Sequence, residues 1–84
     1  TATMWAVGAM DLVRLLGENV REARKRRHMS QEVLALDADM KRSYLSELER
    51  GKRNPSVRAL GRLAEALGID PSDLLRQKTD SDHD

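Results

Sequence analysis

The sequence predicts one compact all-α domain of five helices, and three observations lead to this fold class. The 84 residues include only two prolines, one Trp, one Tyr and no Phe, a composition that gives β-strands little support. Apolar residues recur at helical spacing rather than in alternation. Capping residues and glycines separate the apolar runs. A domain of this size buries only about 60% of its unfolded surface, so its core is thin.

The first two predicted helices are separated by a short break. The first is expected to begin near Asp11, whose carboxylate can cap it, and to continue to the basic run that ends at Arg27. Because glycine weakens a helix interior, a start at Gly17 is the alternative. The second helix is expected to begin after Ser30, a good N-cap residue, and to end near Ala38.

The fourth and fifth predicted helices follow turn signals. Residues 54–56 form a turn and a cap for a helix over residues 57–67, which Gly68 ends. The apolar stripe predicted for that helix comprises Val57, Leu60, Leu63, Ala64 and Leu67. Asp70 then caps a final short helix that Pro71 opens.

The second and third predicted helices lie close together in the chain. Residues 39–41 interrupt the helical pattern, and a third helix over residues 42–50 stops before Gly51. Two short helices joined by such a turn form a helix-turn-helix, a unit that sets its second helix against the major groove of DNA. Ala35 supplies the small residue that the crossing of the two helices requires.

Charge is distributed unevenly along the chain. The net charge is only +1, but residues 14–62 hold 13 Lys or Arg against 7 Asp or Glu. We expect residues 11–77 to form the domain, residues 1–10 to be a flexible arm or leader, and residues 78–84 to be a disordered acidic tail. The basic body favours a polyanion partner, and the alternative is ordinary solvated helix surface.

The sequence argues against several classes of function. The chain has no cysteine, so a disulfide or a thiolate metal site is excluded, and a reducing cytoplasm is the expected compartment. The apolar residues 4–10 are too few for a membrane span and lack the basic start of a signal peptide. His28 and His83 are not spaced as metal ligands, and no nucleophile accompanies them. We therefore expect no enzyme activity, cofactor, membrane association or small-molecule ligand.

Two stretches of the chain carry a family likeness. The string SQEVLALDADMKRSYLSELERGKRNPS and the following LGRLAEALGIDPSDLL resemble the Cro and repressor type of helix-turn-helix protein, also called the xenobiotic response element family. The likeness covers roughly residues 16–75. It implies a lambda-repressor-like fold and a sequence-specific transcriptional regulator of double-stranded DNA, similar to phage repressors and to restriction-modification controller proteins.

The resemblance also implies which residues of the third helix, the recognition helix, read bases. Arg42, Ser43 and Glu47 are expected to face base edges. Arginine can donate two hydrogen bonds to guanine, serine is permissive, and glutamate can accept from N4 of cytosine. For Glu47 the alternative is an ion pair with a nearby cation. Tyr44 either contacts a phosphate or a thymine methyl group, or packs half-buried on the helix surface.

Other residues are expected to hold the DNA backbone or the motif itself. The resemblance implies that Gln31 binds a phosphate and braces the recognition helix, and that Arg24 and Glu49 form a structural salt bridge. Basic residues that bracket the recognition helix can meet the sugar-phosphate backbone, the alternative being plain solvated charge. They are Lys41, Arg50, Lys52 and Arg53.

The chain departs from the family pattern at two positions. The family usually has glycine in the turn where this chain has Asp39, and aspartate tolerates the left-handed conformation less well. Ser or Thr commonly caps the recognition helix, whereas Lys41 has no acceptor. We expect a left-handed turn at Asp39 and a phosphate contact in place of the cap at Lys41.

The small number of base pairs that one motif can contact indicates that the protein forms a dimer. A single motif contacts only a few base pairs, so two motifs on half-sites about 34 Å apart are expected. We therefore expect a homodimeric repressor or autoregulator that reads a palindromic operator. The interface is expected at apolar residues of the last two helices, namely Ile69, Leu74 and Leu75. Two alternatives are an antitoxin that also binds a toxin, and a protein-interaction adaptor that kept the fold without DNA binding.

Overall fold

The computed structural model describes residues 11–77, so the predicted arm and acidic tail lie outside the described residues. The described part is helical throughout and contains no strand, as the fold class requires. Its elements are α1 (Leu12–Arg26), α2 (Gln31–Asp37), α3 (Arg42–Glu49), α4 (Val57–Leu67) and a 3-10 helix (Pro71–Leu75).

The prediction of five α-helices is wrong at the last element, which is a 3-10 helix. Asp73 N donates to Asp70 O at 2.9 Å, a bond between residues three apart. A five-residue segment that begins with proline is too short to propagate an α-helix. The Asp70 carboxylate accepts from the backbone amide of Ser72 at 2.9 Å and from its hydroxyl at 2.8 Å. These bonds to the charged form lower the pKa of Asp70.

α1 begins where the sequence predicts, but without the predicted side-chain cap, and Gly17 is not its first residue. Asp11 occupies the N-cap position, but its side chain makes no capping hydrogen bond. The helix continues through Gly17 instead of beginning there. A Cβ at this position would overlap the carbonyl oxygen of Leu48 and lie 2.9 Å from that of Glu49. Glycine is therefore what allows the backbones of α1 and α3 to approach each other.

Two of the predicted serine caps are confirmed. Ser30 Oγ accepts from Val33 N at 3.1 Å at the start of α2, and Ser56 Oγ accepts from Ala59 N at 3.0 Å at the start of α4. Each bond satisfies an amide that has no partner within its helix. Gly68 ends α4 in the left-handed conformation, with a φ of 69°.

The core is formed by residues from the region of all four α-helices and from the 3-10 helix. Its buried residues are Leu16, Val20, Leu34, Ala35, Ala38, Leu45, Leu48, Leu63, Ala64, Leu67 and Leu74. The prediction that Val57 belongs to the buried apolar stripe of α4 is wrong, because this residue is 85% exposed. It is the first residue of α4, ahead of the turns that contact the core.

Two polar side chains that the sequence did not single out join distant elements. Asn19 is buried on α1, and its Nδ2 donates to Leu74 O at 2.9 Å and to Arg76 O at 3.0 Å. This fastens the end of the 3-10 helix to α1. Arg62 Nε of α4 donates to Ala38 O at 2.9 Å and so satisfies a carbonyl at the end of α2.

The turn between α2 and α3 contains a left-handed residue. Asp39 has a φ of 57°, as predicted. After it, Met40 N donates to Ala35 O at 2.9 Å. His28 has the same φ of 57° after α1, which the sequence analysis missed. Both are positions where glycine is the usual residue.

We expect Asp39→Gly to raise the free energy of unfolding by up to about 1 kcal/mol, because glycine adopts this φ without steric cost. Urea denaturation checks the value. Asp37→Gly is the control, since Asp37 lies in the right-handed α2, where glycine brings no such gain and costs about 0.3 kcal/mol relative to aspartate. A destabilised Asp39→Gly variant would contradict the left-handed assignment.

Candidate nucleic-acid interface

The helix-turn-helix is formed by α2, the turn at residues 38–41, and α3. Ala35 of α2 is 2% exposed, and Leu45 and Leu48 of α3 are fully buried. The small Ala35 side chain thus lies in the core with the inner face of α3. The recognition helix is held along its length by apolar contacts.

The opposite face of α3 is polar. Arg42 and Ser43 are exposed at its first turn, and Glu47 is half-buried one turn later. Residues three and four apart lie on one side of a helix, so Ser43, Glu47 and Arg50 form a line pointing away from the core. No apolar core residue interrupts this line. Of the predicted base-reading side chains, Ser43 and Glu47 therefore share this outward face, and Arg42 is exposed beside it at the start of the helix.

Exposed cations flank this face at both ends. Lys41 precedes α3 and makes no capping hydrogen bond, as expected for a side chain without an acceptor. Arg50 follows α3, and its Nε donates to Ser46 O at 3.3 Å. Lys52 and Arg53 are exposed on the loop that follows. The cations assigned to the sugar-phosphate backbone are thus exposed directly before and after α3.

Glu47 is paired with a cation in this structure. Arg53 Nε donates to Glu47 Oε1 at 2.6 Å, and the two side chains are 52% and 37% exposed. The Arg53 guanidinium carbon also lies 5.6 Å from the centroid of the Tyr44 ring, a cation–π distance. Tyr44 itself is half-buried and packs against the core. In the absence of DNA, then, Glu47 and Tyr44 are both engaged by Arg53.

A second polar cluster lies beneath the motif. Arg24 Nε donates to Glu49 Oε2 at 2.7 Å, and Arg24 Nη2 donates to Glu49 Oε1 at 3.0 Å. This bidentate ion pair joins α1 to the end of α3, with side chains only 11% and 3% exposed. Arg24 Nη1 also donates to Met29 O at 2.9 Å. The Glu49 carboxylate is thus neutralised and hydrogen-bonded inside the domain.

Gln31 belongs to the same cluster. Its Nε2 donates to Glu49 Oε1 at 3.0 Å, which links the first residue of α2 to the last residue of α3. The side-chain amide has two hydrogens, and this bond uses one of them. The other remains to be donated to a further acceptor. Bracing the recognition helix and binding a phosphate are therefore compatible roles for this side chain.

The predicted dimer interface needs one correction. Leu74 is fully buried in the core of its own chain, so its side chain is not available to a partner. The sequence predicts Leu74 at an interface because the last two helices offer more apolar residues than a small core requires, but this core includes it. Leu75 is 40% exposed, and Ile69 is half-buried against the core.

Other kinds of site find no support in residues 11–77. No group of three or more His, Asp or Glu side chains there is placed to hold a metal ion. Within the same residues, no helix has the length and apolar character needed to cross a membrane.

Comparison with known proteins identifies the family. Residues 20–74 match the helix-turn-helix family. The chain is 46% identical over 62 residues to the control protein C.BamHI of Bacillus amyloliquefaciens, a match that covers 73% of this chain and 76% of that protein. It is similar to the crystal structure of the restriction-modification controller protein C.AhdI from Aeromonas hydrophila, with a TM-score of 0.72 and 43% identity over 77% of this chain and 97% of that one. The immunity repressor of Bacillus phage phi105 is 39% identical over 64 residues, 76% of this chain and 44% of the repressor. The chain belongs to the helix-turn-helix family of DNA-binding transcriptional regulators, of the Cro and repressor type.

Proposed function

We propose that this protein is a homodimeric regulator that binds a palindromic operator in double-stranded DNA through α3. The observation that carries the proposal is the two-sided character of α3. Its inner face is packed by Leu45 and Leu48, while Arg42 and Ser43 are exposed on the outward side with free cations before and after them. A rigid helix with this arrangement suits the major groove, where side chains reach base edges and flanking cations meet phosphates.

Arg42 is the residue that we expect to carry most of the sequence preference. It stands at the first turn of α3 and is exposed. The N-terminal residues of a recognition helix are the ones that reach base edges. A guanidinium group can donate two hydrogen bonds to O6 and N7 of guanine, a pattern that no other base edge offers. Ser43 beside it is compatible with more than one base, because a hydroxyl group can both donate and accept a hydrogen bond.

The backbone contacts are assigned to four side chains. Gln31 has a second amide hydrogen to donate to a phosphate while it holds Glu49. Lys41, Arg50 and Lys52 are exposed cations that form no ion pair with a carboxylate of residues 11–77, and they meet the phosphates on either side of the groove. These contacts position the motif and carry no base preference.

Dimerisation supplies the second half-site. One motif reads too few base pairs for useful affinity, and two motifs must lie about 34 Å apart. Ile69 and Leu75 remain as apolar residues at one end of the domain that the chain's own core covers only in part. We assign the two-fold interface to this end, formed by the segment after α4 and by the 3-10 helix.

The regulatory role is inferred from the relatives. C.BamHI and C.AhdI are controller proteins, and the phage phi105 protein is an immunity repressor. We place this chain in the same kind of role, as a cytoplasmic repressor or autoregulator whose own concentration sets its activity. It acts by binding and carries out no catalysis.

The experiment that tests this function begins with selection of bound duplexes from a random pool. Affinity for the selected duplex and for a scrambled duplex is then measured by fluorescence anisotropy over a range of salt concentrations. We expect affinity to fall steeply with salt and to favour the selected duplex strongly. Affinity that does not depend on salt would point to a protein-interaction adaptor instead.

Arg42→Ala is expected to lose about 1 to 3 kcal/mol of discrimination in each motif, because the paired hydrogen bonds to guanine are lost. The advantage of the selected duplex over the scrambled one should then shrink by about 2 to 6 kcal/mol in the dimer. Lys52→Ala is the control, since a lost phosphate contact weakens both duplexes alike and lowers the salt slope by about one per motif. An Arg42→Ala variant that weakens both duplexes equally would move Arg42 to the backbone contacts.

A further inference from the structure

Arg53 folds back over the outward face of α3 and pairs with a residue in the middle of that face. Its Nε lies 2.6 Å from Glu47 Oε1, and its guanidinium group lies over the ring of Tyr44 at 5.6 Å. Tyr44 and Glu47 are three residues apart and so adjoin each other on the helix surface. Arg53 therefore contacts both at once.

The backbone supports this arrangement. Gly51 turns the chain with a φ of 76°, and Lys52 N then donates to Glu47 O at 2.9 Å. These contacts return the chain after α3 toward Glu47, so that Arg53 begins close to its partner. The pair depends on the fold of the loop as well as on two long side chains.

A carboxylate at this position is unusual for a surface that binds a polyanion. Glu47 lies between Ser43 and Arg50 in the outward line of α3, where an unpaired negative charge would repel phosphates. Arg53 neutralises it, but an arginine committed to Glu47 cannot make a full phosphate contact of its own. The pair thus withholds one negative and one positive charge from DNA.

We infer that Glu47 is a specificity-determining residue that acts by holding Arg53. This inference rests on the proposed DNA-binding function. On a site that places a cytosine opposite Glu47, the carboxylate accepts from the N4 amino group, and Arg53 is released to a phosphate. Without that cytosine, Arg53 either stays on Glu47 and contributes no contact, or leaves an unpaired carboxylate beside the DNA. Exposed ion pairs are weak, so the pair opens readily where the base compensates for it.

The test compares Glu47→Gln with the wild-type chain on the selected and the scrambled duplex. Glutamine leaves Arg53 free on every sequence. We expect affinity for the scrambled duplex to rise about three-fold or more, with a salt slope steeper by about one per motif. Affinity for the selected duplex should not rise, so the ratio of the two affinities should fall about three-fold or more.

A double-variant cycle isolates the role of Arg53. In an Arg53→Gln background, Glu47→Gln still removes a repulsive charge, but it should leave the salt slope on the scrambled duplex nearly unchanged, because no cation is released. Glu22→Gln is the matched control, since it breaks the exposed Arg26–Glu22 pair on α1 and removes the same charge from another helix. It should leave the ratio of affinities unchanged.

The outcomes are distinct. An equal increase in the salt slope with and without Arg53 would overturn the inference and make Glu47 a simple repulsive charge. A loss on the selected duplex alone, with no change on the scrambled one, would also overturn it and leave Glu47 as an independent base reader. A wild-type chain that prefers no duplex would defeat the proposed function instead.

A measurement without DNA tests the pair itself. In the free protein, the Nε–Hε group of Arg53 should exchange with water more slowly in the wild type than in Glu47→Gln, because the ion pair is lost in the variant. An Arg53 resonance that exchanges equally fast in both would overturn the inference even where DNA binding is intact.

Discussion

Replacing Gly17 with alanine is expected to lower the free energy of unfolding by about 3 kcal/mol, because the added methyl group meets backbone that cannot move aside. The Cβ would overlap the carbonyl oxygen of Leu48 and lie 2.9 Å from that of Glu49. Both carbonyls belong to the last turn of α3, so relief requires α1 and α3 to separate. Separation would loosen the core under the recognition helix, and we expect DNA affinity to fall along with stability.

Thermal denaturation measures the effect of Gly17→Ala. For a domain of this size, about 3 kcal/mol corresponds to a Tm lower by roughly 10 to 25 °C. Gly61→Ala is the matched control, because Gly61 is also helical and a Cβ there meets nothing within 4 Å. That variant should gain about 0.5 to 1 kcal/mol from helix propensity. If Gly17→Ala were as stable as Gly61→Ala, α1 and α3 would not approach as closely as described.

Removing Arg24 is expected to have an effect of similar size. Glu49 keeps only 3% of its side-chain surface exposed, so Arg24→Ala leaves a carboxylate buried without its cation. Breaking a buried ion pair in this way costs about 3 to 5 kcal/mol. The Met29 carbonyl also loses its donor. The melting temperature should fall well before the base preference of the folded protein changes.

Two comparisons define the cause of that loss. Arg26→Ala removes an exposed arginine that pairs with Glu22 on the surface of α1, and it should cost no more than about 1 kcal/mol. Combining Arg24→Met with Glu49→Leu removes both buried charges and should recover much of the stability. If the double variant were as unstable as Arg24→Ala, packing rather than the stranded charge would be the cause. Unchanged stability of Arg24→Ala would remove the structural role altogether.

The elements that the sequence predicted well are those whose ends carry their own chemistry. Ser30 and Ser56 each bind an amide three residues later, so a few neighbouring letters are enough to locate the starts of α2 and α4. The fifth helix was predicted at the right place and with the wrong geometry. Caps locate an end, but the length of the segment and its packing decide between an α-helix and a 3-10 helix.

The outward face of α3 was predicted in its composition and not in its contacts. Arg42, Ser43 and Glu47 were identified by resemblance, and the alternative of an ion pair for Glu47 was recognised. The partner in that pair, Arg53, was assigned to a phosphate because nothing in the spacing shows that the loop turns back. Its contact with Tyr44 depends on the same turn.

By itself, then, the sequence determined the all-α class and the caps at Ser30 and Ser56, which depend on local backbone chemistry and on helical periodicity. Its resemblance to a family supplied the left-handed turn at Asp39 and the roles of the residues on α3. Only the tertiary structure decided that Gly17 is a point of contact and not a weak point in α1, that Leu74 lies in the core, and that Arg53 covers Glu47. Each of these depends on contacts between segments that are distant in the chain, and the neighbouring residues in the sequence do not specify such contacts.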